Sequence, residues 1–234
     1  MAGLFYLHPW PTLPGSGQAQ ALGWISTLAC LAVGAMGVWL SIRIGCPPAP
    51  PLNDRAGWRR VLVWGLGIGF AFGVYDAAIG ALTHVRSEAI DRGHGFTSVN
   101  IALPWSLAHY FHAAVTLECA FRLGFIVISA WFVGRLILKG RAETLVFWVF
   151  AVLAAWIEPL MHALYSKKLL FAGMDPLDTA LNLSSIAEQI VFAWMLRRFG
   201  WPAPILMRFA WYLIVRVFVG YLYPHTSEMY PGPH

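Results

Sequence analysis

Charge is what this sequence has least of. Of its 234 residues only 12% are Asp, Glu, Lys or Arg, while 59% are hydrophobic, against about 25% charged in ordinary soluble domains. So few charges cannot cover a water-soluble domain of this length. Cysteine is also sparse: Cys30, Cys46 and Cys119 stand singly, with no CxxC pair, so neither a disulfide framework nor a zinc site is expected. The opening residues have no basic side chain except His8 but include Pro9, Pro11 and Pro14, and so lack the basic region that precedes a secretory signal core. They read as an exposed or interfacial arm, with Tyr6 and Trp10 suited to lipid headgroups. No internal repeat or low-complexity tract is present. The net charge of +5 does not indicate a nucleic-acid partner, because the basic residues are spread over short loops, as membrane topology requires.

What is abundant is apolar sequence in blocks long enough to cross a bilayer, about 20 residues each at 1.5 Å rise per residue. Six blocks qualify, near 21–42, 61–84, 109–138, 144–166, 178–196 and 203–223. The expected fold is all-α, a polytopic transmembrane bundle of about six spans forming one domain over 1–234. Alternate loops carry the positive charge: Arg43, Arg55, Arg59 and Arg60, then Arg135, Lys139 and Arg141, then Arg197 and Arg198. The other loops are balanced, Arg86 and Arg92 against Glu88 and Asp91, and Lys167 and Lys168 against Asp175 and Asp178. The positive-inside rule then puts both termini on the outer side, in a bacterial inner membrane or an endoplasmic-reticulum membrane. The connection 86–108 is expected to lie along the interface or dip back toward the bundle, because Pro104 breaks its apolar end.

Ionisable residues inside the apolar blocks each cost a few kcal/mol on insertion scales, so each implies a partner or a purpose. Counted from the outer mouth, Asp76, Glu118, Glu158 and Glu188 all fall roughly 12–15 Å deep, on four different spans. Glu158 and His162 are four residues apart on one helix face, with Tyr165 above them, and Pro159 is expected to bend that helix beside them. Glu118 and Arg122 have the same spacing below His109 and His112. Asn182, Ser185 and Gln189 form a stripe on the fifth span, and Arg208, Tyr212 and Arg216 another on the sixth. Together they predict a polar cavity in the outer half of the bundle. The plainer readings are a structural Glu118–Arg122 ion pair, neutralisation of Asp76 or Glu188 by Arg216, and solvated His109 and His112. Trp64, Trp156, Trp194 and Trp211 are by default lipid-facing or packing residues, and Trp10, Trp24, Trp105 and Trp201 suit an interfacial belt.

Acids in an apolar site favour their protonated form. Such an acid can protonate an alkene, a neighbouring carboxylate can remove a proton, and aromatic faces can stabilise the cation between. The inventory fits a membrane-embedded acid–base isomerase or cyclase of a lipophilic substrate. Asp76, Glu118, Glu158 and His162 would transfer protons, and Tyr75, Arg122, Trp156, Asn182, Glu188, Trp194 and Tyr212 would line the substrate site. No cofactor is implied.

Three stretches carry a resemblance: LHPWP at 7–11, WRRVLVWGLGIGFAFGVYD at 58–76 and VTLECAF at 115–121. They resemble the arm, the second span and the third span of the emopamil-binding-protein family, the sterol double-bond isomerases. The likeness covers roughly the first 140 residues. It implies a sterol-like or isoprenoid substrate and assigns proton transfer to Asp76 and Glu118. The chain departs from that family at Phe72, where the family has histidine, at Asn182 followed by Ser185 where the family has Asn-x-x-Trp, and in its sixth block.

Two other classes compete. His112 and His162 could ligate a haem or a chlorophyll-type pigment in a subunit of a larger membrane complex, and an absorption spectrum separates that class. The acids could instead form the proton relay of a small transporter, although no inverted repeat is present. Glu118, Glu158 and His162 are candidate metal ligands in principle, without a spacing that specifies a metal. Membrane lipids are expected neighbours, and a homo-oligomer or a larger complex remains open.

Overall fold

The computed structural model describes residues 17–91, 105–166 and 176–218, and within them the side chains other than those at 17–26, 80–91, 105–106, 158–159, 161–166, 176–178, 181 and 216. All described elements are helical, and no strand occurs among the described residues. Helix α1 is Gly17–Arg43, α2 is Arg55–Asp91, α4 is Glu143–Ser166 and α5 is Pro176–Phe199. Helix α3 covers 105–137 as an α segment Trp105–Glu118, a π segment Cys119–Ile128, a short α turn Ser129–Trp131 and a second π segment Phe132–Ile137. Helix α6 covers 202–218, α over Pro202–Tyr212 and π over Leu213–Phe218. These helices overlap all six apolar blocks, residues 219–223 of the last lying outside the described residues, and Arg55–Ile79 and Leu107–Ile137 are long and apolar enough to cross a membrane. The arm 1–16, the residues 92–104 with Pro104, and the side chains of Glu158, His162, Tyr165 and Arg216 lie outside the described residues.

Helix ends follow local chemistry. Asp54 Oδ1 accepts the Gly57 N–H at 2.9 Å, an N-cap that satisfies one of the free donors opening α2. At the end of α1, Gly45 takes φ +80°, and the Cys46 and Gly45 N–H groups donate to the Ser41 and Ile42 carbonyls at 2.9 and 3.2 Å. That paired closure requires a left-handed residue, which glycine adopts without strain. The wider winding of α3 persists to its end, where Leu138 N–H donates to Val133 C=O at 2.9 Å, five residues back.

Arginines join the ends of α1, α3 and α5. Arg135 Nη2 donates to the Arg43 carbonyl at 2.9 Å, and Arg197 donates to the Ile44 carbonyl at 3.0 Å and to Thr144 Oγ1 at 2.8 Å. Cationic side chains are favoured where a helix leaves its last carbonyls exposed. Arg135 also pairs with Glu143 at 2.6 Å, and the Arg43 guanidinium lies 3.8 Å above the Trp39 ring. Burial pushes the nearby Cys46 thiol up, against the opposing pull of Arg197. Arg43, Arg135 and Arg197 therefore gather at one end of the described helices.

Close helix pairs are built on small residues. Gly65, Gly69 and Gly73 of α2 face Ala203 and Leu206, Met207 and Ala210, and Ile214 of α6 in rising order, so these two helices run parallel. Gly34 and Gly37 of α1 face Cys119 and Leu123 of α3 in the same sense. Small residues let backbones approach closely. Two apolar cores result. One joins α1, α3, α4 and α5 around Leu123, Ile126, Phe147 and Leu196, and the other joins α2, α5 and α6 around Val61, Phe192, Met195 and Met207. Helix α5 contributes to both. The outer faces stay apolar: Leu28, Trp39, Val63, Val74, Leu136, Leu145 and Leu183 are among many large exposed hydrophobic side chains.

Candidate functional site

Two polar groupings lie between these cores, and α5 takes part in both. The deeper one is charged. Glu118 and Arg122 of α3 are each 1% exposed. Arg208 Nε of α6 donates to Glu118 Oε1 at 2.6 Å. Arg122 Nε stands 3.3 Å from Glu118 Oε2 as an ion pair without hydrogen-bond geometry, and Arg122 Nη2 donates to Gln189 Oε1 of α5. Both arginines pack on the Phe192 ring, with the Arg122 and Arg208 guanidinium carbons 4.5 and 4.4 Å from its centre. The ring's π system attracts both cations. Both oxygens of Glu118 thus face guanidinium nitrogens; the carboxylate ties α3 to α6, and Arg122 extends the network to α5.

The second grouping centres on Asp76 of α2. Ser184 Oγ of α5 donates to Asp76 Oδ1 at 2.9 Å, and Trp211 Nε1 of α6 donates to Oδ2 at 2.7 Å. The partners of Asp76 here are neutral donors, in contrast to those of Glu118. Ser184 also lines a groove between α2 and α5 of about 530 Å³, whose other walls include Ala71, Phe72, Tyr75, Leu183 and Ala187. Tyr75 and Leu183 are 46% and 55% exposed, so the mouth of the groove opens on the apolar outer face. The groove is apolar except where Ser184 and the Tyr75 hydroxyl can reach it.

The expected site residues therefore divide. Tyr75 lines the groove, Asp76 adjoins it through its hydrogen bond with Ser184, and Glu118 and Arg122 belong to the ion-pair grouping. Ser184 and Gln189, which mark the two groupings on α5, are five residues apart, about 7.5 Å along the axis. Asp76 and Glu118 thus sit in separate environments, the first bonded by neutral donors and the second among guanidinium groups. Glu188 is buried one turn from both Ser184 and Phe192, and Asn182 is half-buried. Tyr212 packs on Tyr110 at 5.2 Å. Trp194 stands edge-on to Trp64 at 6.4 Å, and Trp156 is exposed on α4; neither tryptophan lines the groove. The side chains of Glu158 and His162 lie outside the described residues. His112 Nε2 is 3.4 Å from Thr27 Oγ1 and 3.5 Å from Thr116 Oγ1. Among the described residues no three His, Cys, Asp or Glu side chains are grouped as metal ligands.

Ser184, Trp211 and Phe192 were not singled out as site residues from sequence. The available signal was spacing: Ser184 precedes Glu188 by one turn, and Trp211 lies within the Arg208, Tyr212 and Arg216 stretch. What defines the molecule at this point is its class, an all-helical protein with an apolar exterior, a buried ion-pair network and an acid beside a side groove. Compared with models of protein families, with characterised proteins and with solved structures, the chain matches none.

Proposed function

We propose that this is a multi-pass membrane protein of six spans, with both termini on the outer side, and that it is an acid–base isomerase or cyclase of a sterol-like or isoprenoid substrate. The observation that carries the catalytic reading is Asp76, held by Ser184 and Trp211 beside an apolar groove. The membrane reading draws on the exterior. Only 17% of the most apolar stretch of Arg55–Ile79 is buried, whereas the core helix of a soluble protein is mostly covered. Exposed apolar area on this scale is rare on soluble monomers. The gathering of loop arginines at one end supports the orientation.

The hydrogen bonds at Asp76 give its oxygens different roles. The Trp211 indole N–H can only donate, so Oδ2 must accept in either protonation state of the acid. The transferable proton therefore resides on Oδ1, the oxygen that Ser184 links to the groove. In the forward step Oδ1–H passes its proton to the Ser184 oxygen as the Ser184 O–H bond breaks, and a C–H bond forms at one alkene carbon in the groove. The resulting carbocation faces Phe72 and Tyr75, whose rings stabilise positive charge. Loss of a proton from a neighbouring carbon to the same carboxylate then moves the double bond and restores the acid, with no oxidation or reduction.

Glu118, Arg122 and Arg208 form the framework of this site, and its acid is Asp76. The likeness of 58–76 and 115–121 to the sterol double-bond isomerases supports the choice of reaction. The test is incubation of purified protein with a panel of unsaturated sterols and isoprenoid alcohols in deuterated water. Product from the wild type should contain solvent deuterium, and Asp76→Asn should lower its formation by at least the factor of about 10²–10⁴ typical of a general acid–base group. Undiminished incorporation by Asp76→Asn, or none by the wild type across the panel, would overturn the reading.

A further inference from the structure

We infer that the basic start of α2, with the apolar groove that rises from it, holds one anionic phospholipid, headgroup on Arg55 and Arg59 and acyl chain in the groove. This goes beyond the proposed reaction and uses different residues.

The basic end divides its cations into two sets. Arg43, Arg135 and Arg197 are committed within the protein, to the Trp39 ring, to the final carbonyls of α1, and to Glu143 and Thr144. Arg55, Arg59 and Arg60 are exposed, and no described residue pairs with them. Their neighbouring acid, Asp54, is occupied in capping the helix through Gly57. Arg55 and Arg59 are one turn apart, so they present guanidinium groups side by side, a geometry suited to phosphate oxygens.

The same turn leads into an apolar cleft. Trp58, three residues from Arg55 and on its face of the helix, lines a cleft of about 170 Å³ with Trp201, Ile205, Val115 and Phe111, and no polar atom contributes to its surface. Trp58 is fixed in place by its Nε1–H, which donates to the Pro51 carbonyl at 3.1 Å. At the far end Phe111 packs edge-on against Phe209 at 5.4 Å. Phe209 is eight residues beyond Trp201, so the cleft climbs about 12 Å along α6. A narrow, wholly apolar channel with two exposed cations at its base matches a lipid with an anionic headgroup. A soluble phosphate would use the cations and leave the channel empty.

The experiment is native mass spectrometry of the full chain in detergent with equimolar phosphatidylglycerol and phosphatidylcholine. The wild type should retain phosphatidylglycerol preferentially. Each arginine near a membrane surface contributes about fivefold to anionic-lipid affinity, so Arg55→Gln with Arg59→Gln should lower the preference by about 25-fold. Val115→Phe, which fills the cleft without changing charge, should lower retention of bound lipid, provided the variant stays monodisperse and keeps its melting temperature. Glycerol phosphate at the same concentration should not displace the lipid. Equal retention of the two lipids, an unchanged preference in the double variant, unchanged retention by Val115→Phe, or displacement by glycerol phosphate would each overturn the lipid site. Membrane insertion is judged separately: a chain recovered in the aqueous fraction without detergent would refute the spanning reading itself.

Discussion

Glu118 concentrates more of the molecule's electrostatics than any other described side chain, since two buried guanidiniums face it. Removing its charge strands both. Breaking a buried ion pair from one side costs about 3–5 kcal/mol, so Glu118→Gln should be strongly destabilised in denaturant unfolding from detergent micelles. Asp76→Asn should differ. Its amide offers a carbonyl to Trp211 and an N–H to Ser184, whose hydroxyl can reverse from donor to acceptor, so the loss should stay within about 1 kcal/mol. The contrast separates framework from site with one measurement. At this scale the sequence was partly legible. The Glu118–Arg122 pairing follows from a spacing of four on a helix. The contacts of Arg208 with Glu118 and of Trp211 with Asp76 join residues 90 and 135 positions apart, and no local pattern encodes them.

Among the elements, α2 and α6 show how packing is specified. A Cβ added at Gly69 would lie 2.2 Å from the Met207 carbonyl oxygen, whereas one at Gly67 meets nothing within 4 Å. Gly69→Ala should therefore push α2 away from α6 at an overpacking cost of about 1–3 kcal/mol, disturbing the Trp211–Asp76 hydrogen bond as well. Gly67→Ala, on the exposed face, should be neutral or stabilising by up to about 1 kcal/mol through helix propensity alone. Thermal unfolding of the two variants in one detergent checks both. The positions of the helices were readable from apolar length and loop charge. Their internal winding was not: residues 119–128 are π-helical, yet Cys-Ala-Phe-Arg-Leu-Gly carries no proline or other local signal for a wider turn. The segment packs against α1 where Gly34 and Gly37 admit close approach, which indicates that tertiary contact sets the winding.

For the whole molecule, the joined ends of α1, α3 and α5 give the proposed topology an internal check. Loop charges alone assigned those ends to one side, and the structure joins them through Arg135 and Arg197. Leu52 is 93% exposed at the tip of the loop that precedes α2, and it offers a probe of which side that is. With the native cysteines replaced, Leu52→Cys should react with a membrane-impermeant maleimide only after the inner face is opened. Labelling of intact cells would reverse the topology. Of the four acids expected around one cavity, Asp76 and Glu118 have different surroundings, and the Glu158 side chain lies outside the described residues. Depth can be counted along a helix, but helix rotation and lateral order cannot, and these put Glu118 among arginines and Asp76 beside a groove.

The groove beside Asp76 opens sideways, between Tyr75 and Leu183, onto the apolar exterior. With the chain spanning a membrane as proposed, a ligand would reach the groove through the lipid phase, and its encounter would be governed by its share of the surrounding amphiphile, not its amount per volume of buffer. Adding detergent at fixed total substrate would slow such an encounter by dilution within the micelle, with no change in the protein. Kinetic constants for this chain would therefore be properties of a two-dimensional solution, to be compared between preparations only at equal mole fraction.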